Sequence, residues 1–400
     1  MEAKDCFAIP SFEVNSRIND IQKKLQQTET GGLLIVQRVD LLYFSGTAQN
    51  AFLYIPVTGD PLLMVKRYYP RALQESTLKN IIEIQSVKEV PERMRDYYGT
   101  LPKTIGVEMD VLPANEYNFY ATLFSGSLLV DGSGPILETR MIKSQWEIDQ
   151  MRLTATLSHK TFDYMKRIIK PGQSEMEFAG MAEAFSRKHG HGGKMRVRDF
   201  QTEGYAWHVL SGKNSAMVGL LDSPASGAGT SVAFPSGAGW KPLAHREPIL
   251  IDFATVLNGY HMDETRMFAI GSMPQKALDA SKAAIEIHNS LLEKLKPGMT
   301  AHKIYEYSLK LAQKIGCQES YLGPSGYKVS FVGHGIGLEL VESPILAKGK
   351  HTRLEPGMTF ALEPKLVFQD EFMAGVESVF EVTESGASLI STVPVEIFIC

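Results

Sequence analysis

"ILIDFATVLNGYHMDETRMFAIG", residues 249–271, decides how the second half of this 400-residue chain folds. Ile249-Leu250-Ile251 opens as a buried strand and delivers Asp252. Asn258-Gly259 is a two-residue hairpin signal, and the return strand carries Asp263, Thr265 and Arg266. Pairing about that turn sets position 263 opposite about 254, close to Asp252. Two carboxylates brought together on apolar strands repel unless something positive sits between them. A lone aspartate is usually a solvated surface acid. On strands this apolar, a cation is the better account.

Two acids further along the chain have similar settings. Glu363 follows Phe360-Ala361-Leu362, and Glu377 lies between Val376 and Val379-Phe380. Each alone also reads as an edge-strand residue facing water. That is the expectation for Glu342, Glu355, Glu381 and Glu384, which alternatively cap turns. In "VGHGIGLELVESP", residues 332–344, His334 stands among glycines as a metal ligand, a base or a core residue. Asp252, Asp263, His334, Glu363 and Glu377 together supply four carboxylates and one imidazole. Such an oxygen-rich set suits two divalent ions, with manganese, cobalt, iron or zinc as candidates. Two ions close together share a water, lower its pKa and polarise a carbonyl, so hydrolysis is the natural chemistry.

Composition bounds the rest. The chain is 44% hydrophobic and 22% charged, with net charge −4 and no basic block, which argues against nucleic acid or an anionic membrane surface as partner. No run approaches the roughly 20 apolar residues of a membrane span. "MEAKDCFAIPSFEVN" has no secretory pattern, and Cys6, Cys317 and Cys400 are scattered. A reducing, cytoplasmic setting is expected.

The length predicts two domains. Residues 1–140 alternate helix and strand signals: a helix around 17–27, a strand at "GGLLIVQ", and a hairpin turning at Thr58-Gly59-Asp60-Pro61. This predicts an α/β domain. Gly132, Gly134 and Pro135 predict a break in regular structure, and Ser144 with Glu147 predicts a capped helix start. Residues 141–400 contain a repeat. Lys170-Pro171-Gly172 with Ser174, and Lys296-Pro297-Gly298 with Thr300, each separate two amphipathic helices. A duplicated unit is expected. The Gly/Ser/Pro-rich segment 222–240 reads as a long surface loop whose Phe234 and Trp240 are candidates for a lid.

The ordered set Asp252, Asp263 in "DETR", "GHGIG", "ALEP" and "VE…VTESG" resembles the metallopeptidase family with the pita-bread fold, which includes Xaa-Pro aminopeptidases, prolidases, methionine aminopeptidases and creatinases. The likeness covers nearly the whole chain. It implies a creatinase-type amino-terminal domain over 1–140 and a pseudo-twofold pita-bread catalytic domain over 141–400. It further implies that Asp252 holds one metal, that Asp263 and Glu377 bridge two, and that His334 and Glu363 hold the other. Glu363 would also handle the proton of the bridging water, and a homodimer is implied.

Departures from the pattern are specific. Val341 stands where such peptidases carry a histidine, Gly219 where a second one follows, and Gly375 where the Xaa-Pro group often has arginine. His208 either replaces one of these or packs in the core, and His245 and His261 read as loop or surface residues. Losing one such donor costs about 2.7–4 kcal/mol of transition-state stabilisation. The leading expectation is Xaa-Pro aminopeptidase or prolidase-like cleavage of short peptides. The alternatives are a metal-dependent hydrolase or lyase on a small non-peptide substrate, and a non-catalytic binding protein.

Overall fold

A computed structural model describes residues 7–198, 207–219 and 221–400. The chain divides after Arg140 into two units, each with its own core.

The first unit runs α1 (Ser11–Leu25), β1 (Gly32–Ile35), α2 (Arg38–Ser45), β2 (Ala51–Pro56), β3 (Leu62–Val65), α3 (Tyr69–Glu75), β4 (Ile81–Glu83), α4 (Val90–Tyr98), β5 (Thr104–Val107), α5 (Ala114–Leu123), β6 (Leu128–Asp131) and α6 (Ser133–Met141). Its six-stranded sheet has the order β4-β3-β2-β1-β5-β6. The β2–β3 hairpin is antiparallel as its turn residues require. One expectation fails here. Gly134 and Pro135 do not break the chain but lie in the first turn of α6. A proline is tolerated there because its missing N–H has no helical partner anyway.

The second unit holds the repeat. It begins with α7 (Gln145–Ile168) and α8 (Glu175–Lys188). Ser144 and Glu147 cap α7 reciprocally at 3.2 Å. Then come β7 (His208–Ser211), β8 (Ile249–Leu257), β9 (Tyr260–Ala269), α9 (Gln275–Lys294) and α10 (Ala301–Ile315). The remaining strands are β10 (Phe331–Gly335), β11 (Glu342–Ala347), β12 (Thr359–Leu362), β13 (Lys365–Phe368), β14 (Phe372–Gly375), β15 (Ser378–Thr383), β16 (Gly386–Leu389) and β17 (Phe398–Ile399). The two helix pairs join in the same way. Gly172 and Gly298 both take left-handed backbone, at φ 88° and 84°. Ser174 and Thr300 both cap the next helix, accepting from Glu177 N and Lys303 N. Each start also bridges to a later segment, Ser174 to Pro242 and Thr300 to Arg353.

Two sheets face the helices, β17-β9-β8-β7 and β11-β10-β12-β15-β16, with β13-β14 as a separate ribbon. Their inner residues, among them Ile249, Ile251, Phe268, Phe360 and Phe380, are fully buried. The sheets meet at Thr265 and Glu377. Glu377 N donates to Thr265 O at 3.1 Å, and Thr265 N donates back at 3.3 Å. The acidic residues converge on this seam.

Candidate metal centre

The hairpin places its acids as its turn predicts. Leu257 pairs Tyr260, Ala254 pairs Asp263 and Asp252 pairs Thr265. Asp252 and Asp263 are therefore diagonal neighbours on one face of the β8–β9 ladder. His334 lies in β10, between β11 and β12, and pairs with Ala361. Glu363 leaves the end of β12, its N–H bonded to Val332 O at 2.9 Å. Glu377 immediately precedes β15, and its carbonyl is held by the fully buried Arg266. That guanidinium also donates to Pro394 O at 2.7 Å, Thr265 O at 2.8 Å and Val393 O at 2.6 Å. A buried cation caged by carbonyls locks the backbone that presents Glu377.

His334 points its Nε2 at three carboxylates: Glu363 Oε1 at 3.7 Å, Asp263 Oδ2 at 3.9 Å and Glu377 Oε1 at 3.9 Å. Its Nδ1 lies 3.0 Å from Gly335 O. Donation there leaves the Nε2 lone pair facing the acids, the tautomer a metal requires. The separations are too long for hydrogen bonds. They match donors around one ion, which stand roughly 3–4 Å apart when each is about 2.1 Å from it. Among the described residues, Asp263, His334 and Glu377 form a group whose ligand atoms all lie within 4.8 Å of one another.

The other side of the cluster is filled by a residue that sequence reasoning missed. Lys365 Nζ lies 2.9 Å from Asp252 Oδ2, 2.9 Å from Glu363 Oε2 and 3.5 Å from Glu377 Oε2. Its side chain is 3% exposed. Three acceptors meet an ammonium with three donors. The one available signal was spacing: a cation two residues after an acid in an extended segment shares its face.

The electrostatics follow from burial and crowding. Burial and the Glu377 and Asp252 charges push the Asp263 carboxyl well above the usual carboxylate range. Burial, with Glu363 and Asp252 adding, pushes Glu377 up to about 8 against the pull of Lys365. At Asp252 burial is outweighed by the Lys365 ammonium and His208, and its carboxyl falls below the ordinary value. For Lys365 itself burial is outweighed by Asp252, Glu363 and Glu377, and the ammonium is held well above its usual range. The Lys365 charge, with His208, therefore outweighs burial at Asp252, but Lys365 does not at Asp263 or Glu377. That half of the cluster contains the Asp263–His334–Glu377 group.

Residues 149–384 match metallopeptidase family M24. The chain belongs to metallopeptidase family M24. Residues 17–142 match the creatinase/prolidase N-terminal domain, so the M24 pita-bread unit follows a creatinase-type one. A probable dipeptidase of Mycobacterium tuberculosis is 24% identical over 387 residues, covering 92% of each chain. The Xaa-Pro dipeptidase of Pyrococcus furiosus is 23% identical, covering 94% of this chain and 98% of its own. The solved Xaa-Pro dipeptidase from Bacillus anthracis superposes with a TM-score of 0.82 at 22% identity, covering 97% of this chain and all of its own, 100%. M24 metallopeptidases use divalent metal ions, and Asp263, His334 and Glu377 are a group here whose ligand atoms lie close enough together to share one.

Two expectations around the M24 centre need correction. Glu342 does not face water. It is buried, it pairs with Lys143 Nζ at 2.9 Å, and Glu339 N donates to it at 3.0 Å. Glu381 is not among them: it lies in β15 in a surface ion pair with Arg152 at 3.3 Å. His261 is fully buried. Its Nδ1 lies 3.0 Å from Gly337 O and its Nε2 accepts from Arg196 N at 3.1 Å, and burial pulls it down to about 4. His245 is exposed as expected.

His208 pairs with Asp252 across β7–β8, and its Nδ1 lies 3.6 Å from Asp252 Oδ2. Its Nε2 is buried with no hydrogen-bond partner among the described residues. At Gly219 an added Cβ would fall 2.4 Å from the Ser226 hydroxyl, so the Gly/Ser-rich segment takes up the space a side chain would need. That segment is anchored by buried Glu175, which accepts from Ser211, Asn214 and Gly239 at 2.6–3.0 Å. Phe234 and Trp240 are exposed on it. A cavity of about 520 Å³ opens beside it, lined by Asn214, Val218, Trp240, Lys241, Tyr327 and Asp370 among others.

Proposed function

We propose that this chain is a metal-dependent exopeptidase that removes the N-terminal residue from short peptides with proline in second position. The observation that carries the reading is His334 Nε2 facing Asp263, Glu363 and Glu377 at 3.7–3.9 Å in an M24 fold. Relatives named Xaa-Pro dipeptidase support the substrate class.

Asp263, His334 and Glu377 hold the metal, and Glu363 lies beside them with Oε1 toward His334. A divalent ion bound there supplies Lewis-acid polarisation of the scissile carbonyl. The chain's residues do the rest. Lys365 donates to Glu363 Oε2 and orients Glu363, which takes a proton from the attacking water and returns it to the leaving nitrogen. His208 Nε2 is the substrate contact that replaces the missing histidines, because it is the buried ring nitrogen next to Asp252 with no partner among the described residues.

Manganese fits the oxygen-rich donors. Two ions were the expectation from the resemblance, and the position of Lys365 speaks for a smaller number. The domain boundary at 140/141 is part of this reading, as is a homodimer built through the creatinase-type unit. So is a cytoplasmic setting: Cys317 and Cys400 are free thiols, Cys6 lies outside the described residues, and no described helix is long and apolar enough to cross a membrane.

The test is release of the first residue from Xaa-Pro peptides by manganese- or cobalt-loaded protein. No turnover across a peptide panel refutes the reading. The second reading, a hydrolase or lyase on a small non-peptide substrate, is favoured by Val341, Gly219 and Gly375 lacking donor side chains. Metal-dependent turnover of a metabolite that peptides do not inhibit would establish it. Protein without metal, unchanged in melting temperature by chelator, would instead point to a binding protein.

A further inference from the structure

We infer that the Lys365 ammonium replaces one of the two cations the acidic cluster would otherwise hold, so that this chain binds a single divalent ion, at Asp263, His334 and Glu377. The inference rests on the metal-peptidase reading and deepens it. Glu363 and Glu377 each span the two positions. Their Oε1 atoms face His334 at 3.7 and 3.9 Å, and their Oε2 atoms face Lys365 at 2.9 and 3.5 Å. Asp252 belongs to the Lys365 side alone and Asp263 to the His334 side. The carboxylates thus define two cation positions, and a covalently tethered cation already stands in one.

An ion bonded to Asp252 Oδ2 and Glu363 Oε2 would have to be about 2.0–2.2 Å from each oxygen. Lys365 Nζ is 2.9 Å from both, so ion and ammonium would collide in one volume and repel.

The lysine is built into place rather than folded in by accident. Lys365 pairs with Gly375 across β13–β14. A Cβ on Gly375 would lie 2.6 Å from Lys365 Cγ and 3.4 Å from its Cβ. Gly375 does not take left-handed backbone, so a glycine is required here for space and not for φ. The missing side chain at 375 is the floor on which the lysine stem lies. Thr265 Oγ1 donates to Glu377 Oε2 at 2.8 Å and holds that oxygen on the Lys365 side.

The experiment counts ions. Full-length protein is saturated with manganese, passed through desalting, and measured by elemental analysis against protein concentration, in parallel with Lys365→Gly. The expected result is one ion per chain in the natural protein and two in Lys365→Gly. Two ions or none in the natural protein, or one in both proteins, overturns the inference. Asp252→Asn covers the case in which Lys365→Gly does not fold: it keeps one ion, with affinity changed less than about tenfold, because Asp252 partners the ammonium and not the metal. Loss of that ion overturns the inference. Anomalous diffraction from manganese-soaked crystals locates it, expected beside His334 and not at Asp252. Peptide turnover is not read in these arms. An inactive protein that counts one and two ions sinks the peptidase reading alone, and an active one that counts two sinks this inference alone.

Discussion

Lys365 and Gly375 face each other across the β13–β14 ladder, and a Cβ built on Gly375 would lie 2.6 Å from Lys365 Cγ. Lys365 thus carries a positive charge on the strand opposite Gly375, the position where the Xaa-Pro group often has arginine. The two positions are one device: the lysine reaches the acids only because the glycine leaves its stem room.

Gly375→Ala should therefore destabilise the protein by about 1–3 kcal/mol through overpacking. In a Lys365→Gly background the same change should cost little, with a coupling of about 1–2 kcal/mol. Urea unfolding of the four proteins at one pH measures it. Equal costs in both backgrounds would show that the stem does not fill that space.

Asp263→Ala and His208→Ala should separate binding from chemistry. Asp263 lies in the ligand group, and its loss should remove metal and turnover together. His208 should keep the metal and lose about 10²–10³-fold in turnover if its free Nε2 meets developing charge. Metal content and peptide turnover on the same samples decide both. A metal-loaded, active Asp263→Ala would mean the ligand assignment is wrong.

Metal and protons should compete. Burial and crowding raise Glu377 to about 8, so below that pH the metal-free site is protonated. Apparent manganese affinity should rise by up to about tenfold per pH unit from pH 6 to 8 and then level. The sign for stability is the same argument reversed. A carboxyl raised above its unfolded value of 4.5 favours the fold below that value and loses the contribution as pH rises through 8. Metal-free protein should melt lower at pH 8.5 than at pH 6, and saturating manganese should close the gap. Calorimetry with and without chelator checks this, and a pH-independent affinity would refute it.

His261 and His288 act at the other end of the scale. Burial pulls each from 6.5 to about 4. Their neutral forms favour the fold fully above 6.5, and the contribution is lost as pH falls through 6.5 toward 4. At an upper limit of about 3 kcal/mol each, the two make unfolding between pH 6.5 and 4 much easier. His261→Gln should flatten that part of the urea midpoint against pH curve while lowering stability at pH 7. An unchanged slope would show that His261 is not the group titrating.

Much of the architecture was legible because it obeys local rules. Asn258-Gly259 dictated the hairpin and with it the register that sets Asp263 against Ala254. Ser144, Ser174 and Thr300 announced helix starts, and all three side chains cap as their sequence neighbours require. The two Lys-Pro-Gly turns predicted the duplicated helix pairs. Pro135 misled because proline disrupts a helix interior but not its first turn.

Sequence alone therefore determined the order of elements, the hairpin register, the repeat and the set of acids worth watching. The elements and the hairpin register depend on residues within a few positions of one another, and the repeat and the acids on short motifs matched along the chain. Only the tertiary structure decided which charges are compensated. Lys365 meets Asp252 across 113 positions, and Lys143 meets Glu342 across 199. A buried charge is tolerable only beside its partner, and no local pattern says which distant strand will deliver that partner.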